Sequence, residues 1–200
     1  AYITTDAPFE SRTLQPLVKA AVDESFNRIS VDGQMSPSDT VLVFANGEGQ
    51  GLIAEEAETF GRALRAICRW LALMIVRDGE GAEHVVRLIV SDARDGEEAE
   101  TVARAIANSP LIKAAVFGKD PNWGRVTQAV GAALAGRPGP PPIVSLAFDG
   151  VDVNDEAVHE VMAREEYEMH VGLGRGEARA EMFFCDLTHA YVSINSDYTT

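Results

Sequence analysis

The sequence has 200 residues, 46% of them hydrophobic, which is enough for one sizeable core. It carries 17 basic and 31 acidic side chains, for a formal charge of -14. An acidic surface repels phosphates and argues against nucleic acid as a partner, while it suits a cationic small substrate. No apolar run approaches the ~20 residues that span a bilayer, so no membrane segment is expected. The two cysteines, Cys68 and Cys185, are far apart and in no C-x-x-C spacing. That usage fits a reducing cytoplasm better than a disulfide-built secreted domain.

In chain order, Ala1 to Thr5 reads as a strand already in progress, with no initiator Met and no signal peptide. The expectation is a fragment or a processed product. Leu14, Leu17, Val18, Ala21, Val22 and Phe26 recur at helical spacing and predict a helix from about Arg12 to Arg28. Val31 to Asp39 is turn-rich. Thr40 to Ala45 is a continuous apolar run, hence a buried strand, stopped by Asn46-Gly47, which tolerate positive φ. A helix follows from about Ala54 to Val76, then the turn-forming loop Arg77-Asp78-Gly79-Glu80-Gly81. His84 to Val90 is the next strand. Gly96 to Asn108 is a helix with acidic residues in its first turn, where the helix dipole favours them.

Leu111 to Phe117 fits a strand or a helix. Asp120-Pro121 marks a helix start, running to about Ala135. The segment 137–142, rich in proline, is a stiff connector but not a domain boundary, because the strands beyond it need partners. Ile143 to Phe148 is a strand and Val158 to Glu166 a short helix. Met169 to Gly172, Ala178 to Cys185 and Ala190 to Asn195 read as closing strands. Mixed elements without repeats predict an α/β (α+β) layered sandwich forming a single unit over residues 1–200.

Local constellations are few. Gly47-Glu48-Gly49-Gln50-Gly51 lies between a strand and a helix, the place for a phosphate loop. Its spacing is wrong, no Lys-Ser or Lys-Thr follows, and Glu48 would repel phosphate, so a flexible connection is the better reading. The histidines 84, 159, 170 and 189 form no zinc pattern, and no metal site is expected. No Gly-x-Ser-x-Gly elbow is present. Glu80 on its acidic turn is either a solvated carboxylate or a contact for a substrate amine. Asn122, Trp123 and Arg125 read equally as a capped helix with a Trp anchor or as a site wall. The polar ending Ser193 to Thr200 reads as a frayed tail or as a segment held by the preceding apolar stretch.

Several blocks in register resemble the ornithine acetyltransferase family of arginine biosynthesis. They are Ala1-Tyr2-Ile3-Thr4-Thr5-Asp6-Ala7, Ser25-Phe26-Asn27-Arg28-Ile29 with Val31-Asp32-Gly33, Ser38-Asp39-Thr40-Val41 with Ala45-Asn46-Gly47, and Arg77-Asp78-Gly79-Glu80-Gly81-Ala82. Val116-Phe117-Gly118 with 120–125, Asp186-Leu187-Thr188-His189, and Asn195 to Thr200 complete the set. The resemblance implies the β subunit of a self-cleaving, N-terminal-nucleophile-like enzyme whose sandwich is completed by an α subunit from the same precursor. It implies acetyl transfer from N-acetylornithine to glutamate by ping-pong logic, through a threonine ester. The nucleophile falls three residues before Ala1, so no catalytic residue is assigned here. By resemblance the substrate contacts are Glu80, Asn195 and Thr200, with Asn122, Trp123 and Arg125 as supports. No cofactor is implied; acetyl-CoA is a candidate second acetyl donor. A cytoplasmic heterotetramer of two αβ pairs, or something larger, is the expected assembly. Glu83-His84 stands where the family usually has Thr-Lys, and Pro37-Ser38 where it has Thr-Asn. These departures leave a paralogue with a shifted acyl acceptor as an alternative, beside a related amidase or aminopeptidase and a catalytically inactive interaction subunit.

Overall fold

A computed structural model describes residues 1–49 and 54–197. In chain order the elements are β1 (Tyr2–Thr5), α1 (Ser11–Asp23), β2 (Ile29–Ser30), β3 (Leu42–Ala45), α2 (Ala54–Arg77) and β4 (Val85–Ala93). Then come α3 (Gly96–Ala107), α4 (Pro110–Phe117), α5 (Trp123–Leu134), β5 (Ser145–Phe148), β6 (Val151–Asp152), α6 (Val158–Met162), β7 (Glu166–Gly172), β8 (Ala178–Cys185) and α7 (His189–Asp197). The class is mixed α/β, as its alternating elements predict. The chain divides into two units. One holds Ala1–Ile29 and Met35–Ile75, the other Ser30–Gln34 and Val76–Thr200.

In the first unit β1 and β3 pair in parallel, Tyr2 opposite Leu42 and Thr5 opposite Ala45. A small core forms on one side. Ala21 of α1 and Leu64 and Cys68 of α2 are buried, and Ile3, Val43, Leu17 and Phe60 pack on them. The strand at 40–45 is not buried as its apolar run suggests: Leu42 is 38% and Phe44 53% exposed, and Tyr2 on β1 is 78% exposed. A two-stranded ribbon has one face against its helices, so alternate residues must point away from them. The glycine loop is described only as far as Gly49, whose N–H is taken by the Asp6 carbonyl at 2.8 Å. Gln50 and Gly51 lie outside the described residues.

The second unit is built on a sheet of order β2-β8-β4-β7-β5-β6. β4 runs parallel to β7 and antiparallel to β8. Val86, Leu88 and Val90 of β4 share one pleat face with Met182 and Phe184 of β8. They form the main core with Val102 and Ile106 of α3 and with Val126 and Val130 of α5. The alternation along β4 and the spacing along α3 are the cause: each puts its apolar set on one side. Among the described residues, no helix is long and apolar enough to cross a membrane.

Four sequence expectations shift. Leu111 to Phe117, open between strand and helix, is α4, with Pro110 at its start and the Ser109 hydroxyl accepting the Ile112 N–H at 3.4 Å. The helix expected from Asp120-Pro121 starts later, because Asn122 is the residue that caps it, accepting the Arg125 N–H at 3.0 Å. The helix expected over Val158–Glu166 ends at Met162, and Glu166 opens β7 opposite Val85. The closing strand expected at Ala190 to Asn195 is helical, as α7. Its apolar Val192 and Ile194 are 59% and 45% exposed, so they bury no sheet face. Thr188 starts the helix instead, its hydroxyl accepting the Tyr191 N–H at 3.3 Å.

One buried ion pair fastens the far end of the sheet. The Arg175 guanidinium grips the Glu98 carboxylate through two bonds of 2.8 and 3.0 Å, and their side chains are 3% and 0% exposed. Arg175 and Arg94 also donate to the Pro138 carbonyl, which ties down the proline-rich connector. Arg175 holds the Glu98 carboxyl below its ordinary value of 4.5. A depressed carboxyl stabilises the fold above its unfolded value, and that stability is lost as pH falls through the folded value. Glu98→Gln is therefore expected to lower Tm by about 5–10 °C at neutral pH. Scanning calorimetry should show that gap closing below about pH 4.5; a gap independent of pH would contradict the assignment.

Candidate functional site

The loop after α2 and the helix α7 meet in the second unit. Arg77 anchors the loop's start on β7 by a two-pronged bond to Glu166, at 2.6 and 2.9 Å. Within the loop the Ala82 N–H bonds the Gly79 carbonyl at 2.9 Å. Gly81 has φ +68 and sits against α7: a Cβ there would lie 2.7 Å from the Ala190 Cβ and 2.8 Å from the Tyr191 nitrogen. Only glycine accepts both conditions.

Beyond the loop, Asp186 locks the entry to β4. One carboxylate oxygen accepts the N–H groups of Glu83 (2.9 Å) and His84 (3.2 Å), and the other meets His84 Nδ1 at 2.9 Å. Asp186 and His84 are both buried. Since a carboxylate only accepts, Nδ1 carries the proton. His84 thus serves as an inward tether.

The two residue groups expected from the sequence end up in the following places. Glu80 and Asn195 come together: the Asn195 amide donates to Glu80 Oε2 at 2.6 Å and to the Tyr191 carbonyl at 3.1 Å. Both amide hydrogens are engaged, so the amide oxygen is what Asn195 has left for a ligand. A carboxylate and an amide oxygen side by side suit an ammonium group. Asn122, Trp123 and Arg125 form a separate group at the start of α5. Asn122 caps the helix and donates to Asp120 at 2.8 Å, Arg125 donates to the Leu111 carbonyl at 2.7 Å, and Trp123 is half exposed. Their bonds close within the α4–α5 junction. Thr200 lies outside the described residues.

Three residues the sequence left without a role, Asp32, Thr188 and Tyr191, are bonded in around the Glu80–Asn195 pair, and a fourth, Lys113, is buried at the end of β8. The Tyr191 hydroxyl donates to Asp32 Oδ2 at 3.0 Å, bringing the Val31-Asp32-Gly33 block to α7. Burial, then the Asp32 bond, then the charges of Asp32 and Glu80 push the Tyr191 hydroxyl above its ordinary value. Lys113 of α4 is buried, its ammonium donating to the Cys185 carbonyl and standing 5.3 Å from the Phe184 ring centre. Burial pulls its pKa down, against the opposing pull of Cys185, Asp186 and Asp32. Thr188, 3% exposed, bridges the Gly81 carbonyl (2.7 Å) and the Tyr191 N–H. The blocks 31–33 and 186–189 stood out in the sequence; what it lacked was the pairing across more than 100 residues.

Comparison with known proteins gives this arrangement its setting. The crystal structure of the arginine biosynthesis bifunctional protein ArgJ from Bacillus halodurans superposes with a TM-score of 0.86, at 34% identity over 98% of each chain. The shared architecture is thus a known mixed α/β fold. The ArgJ family model matches residues 1–200, and the chain belongs to that family. Relatives include the arginine biosynthesis bifunctional protein ArgJ of Chlorobaculum tepidum, 41% identical over 99% of this chain and 51% of its own length. Another is the glutamate N-acetyltransferase of Methanocaldococcus jannaschii, 40% identical over 100% of this chain and 53% of its own length. The chain spans about half the length of these curated relatives.

Proposed function

We propose that this chain is the β subunit of a glutamate N-acetyltransferase that moves acetyl from N-acetylornithine to glutamate in arginine biosynthesis. The observation that carries the reading is the pairing of Glu80 with Asn195 on a chain of this family. Relatives bearing the transferase name support it. The acetyl group leaves its amide, rests as an ester on a threonine preceding Ala1, and passes to the glutamate amine. A threonine freed at a chain start can use its own α-amine as general base. Such acyl transfer asks for two substrates and no metal or organic cofactor. The word bifunctional in relatives' names supports a second activity, for which acetyl-CoA is the donor we propose.

In this reading Glu80 and the Asn195 oxygen receive the ornithine ammonium, and Thr200 completes the cradle. Asn122, Trp123 and Arg125 support it from the α4–α5 junction. The other half of the precursor, the α subunit, supplies the remaining groups, and two αβ pairs assemble as a heterotetramer. Parallel strands are ordinarily covered on both faces, and the exposed Tyr2 and Phe44 of the β1–β3 ribbon are a face that a second chain would cover. The two free thiols, Cys68 and Cys185, suit work in the cytoplasm.

The purified αβ enzyme is expected to convert acetylornithine and glutamate into ornithine and acetylglutamate. Free acetate as the product would instead make the protein an amidase. Glu80→Ala is expected to raise KM for acetylornithine about 10- to 100-fold, the weight of a hydrogen bond to a charged group. Unchanged steady-state kinetics in that variant would remove Glu80 from the site.

A further inference from the structure

We propose that Thr188 is a positioning residue, whose single hydroxyl fixes the spacing of Glu80 and Asn195; the proposal rests on those two meeting the substrate. The hydroxyl does two things at once. It donates to the carbonyl of Gly81, the residue after Glu80, at 2.7 Å. It accepts the N–H of Tyr191, at 3.3 Å, in the first turn of α7. Tyr191 is one turn before Asn195, and its carbonyl holds the Asn195 amide at 3.1 Å. A short chain of bonds therefore runs from the backbone beside Glu80, through one oxygen, to the Asn195 side chain.

The other tethers do different work. Arg77–Glu166 and the Asp186 bonds fix the two flanks of the loop to the sheet. Tyr191–Asp32 fixes α7 to the Val31-Asp32-Gly33 block. Among the described residues, Thr188 is the side chain that joins loop to helix away from the substrate-facing atoms themselves. It is buried, so no solvent oxygen stands ready to replace it. With the hydroxyl gone, the Gly81 carbonyl loses its partner, the loop relaxes away from α7, and the two ligand-facing groups separate. Binding weakens while the chemistry at the threonine is left intact.

The test compares Thr188→Val, which keeps the shape and removes the hydroxyl, with Thr188→Ser, which keeps the hydroxyl, in the complete αβ enzyme. KM for acetylornithine is expected to rise about 5- to 20-fold in Thr188→Val with kcat within about twofold. Thr188→Ser should stay within about twofold of wild type on both. A role in stability alone would lower kcat with the folded fraction and leave KM unchanged; that result overturns the proposal, as does a serine variant as impaired as valine. If Thr188→Val does not fold, Thr188→Cys decides by the same readings, since a thiol fills the space but bonds weakly. A wild-type enzyme that transfers no acetyl group sinks the acetyltransferase reading and this role together. An active wild type with KM unchanged in the variant sinks this role alone.

Discussion

On the proposed acetyl-transfer function, Gly81→Val is expected to cut kcat/KM by at least about 100-fold, more than any substitution of a ligand-facing side chain nearby. The backbone there has φ +68, and any Cβ would stand 2.7 Å from the Ala190 Cβ and 2.8 Å from the Tyr191 nitrogen. These are atoms of a helix's first turn, so they cannot swing aside as a side-chain tip can. A β-branched residue adds strain of about 1–2 kcal/mol in that left-handed region. Either the loop withdraws or α7 loses its first turn, and both outcomes part Glu80 from Asn195. Gly81→Ala already carries the colliding atom and should lose most of the activity. Adding Ala190→Gly removes the 2.7 Å collision but leaves the one with Tyr191, so recovery should be partial. Wild-type kinetics in Gly81→Val would show that loop and helix do not meet as described.

Asp186→Ala is expected to lower stability by about 3–5 kcal/mol, measured by urea denaturation, because it strands three donors in a buried place. Those donors are the N–H groups of Glu83 and His84 and the His84 ring. Asp186→Asn discriminates. Its amide oxygen can accept both backbone N–H groups, and its NH₂ can donate to Nδ1 once the imidazole proton moves to Nε2. That variant should lie within about 1 kcal/mol of wild type. Equal losses for Ala and Asn would mean that the charge, and not the hydrogen-bond pattern, holds the entry to β4.

Much of this architecture is legible in the sequence, and the exceptions have physical reasons. The strand His84 to Val90, apolar but for His84 and Arg87, and the acidic first turn of α3 announce themselves, since each is a local pattern with a local cause. The stretch after Thr188 misleads: Tyr191-Val192-Ser193-Ile194 alternates like a strand, but its capping hydroxyl and exposed apolar side chains make it a helix. At the candidate site the sequence offered Glu80 and Asn195 as separate hints, and the fold sets them 2.6 Å apart. Asp32, Thr188 and Asp186 were visible only as members of motif blocks. Their partners lie 102 to 159 positions away, and no periodicity encodes such pairings.

The order of the large sheet carries a consequence for how the chain acquires it. β4 sits between β7 and β8, and its first residue, Val85, faces Glu166 and Cys185. At ribosomal speeds of about 5–20 residues per second, the interval between emergence of β4 and emergence of its first neighbour is about 4–16 seconds. Throughout it, Val85-Val86-Arg87-Leu88-Ile89-Val90 is an apolar strand with both edges unpaired, the kind of segment that pairs with other chains. The helices α3 to α5, made in between, are the nascent chain's own cover for one of its faces. Low occupancy of neighbouring ribosomes, or a chaperone that shields this segment, is therefore a natural condition for good yield of the folded protein.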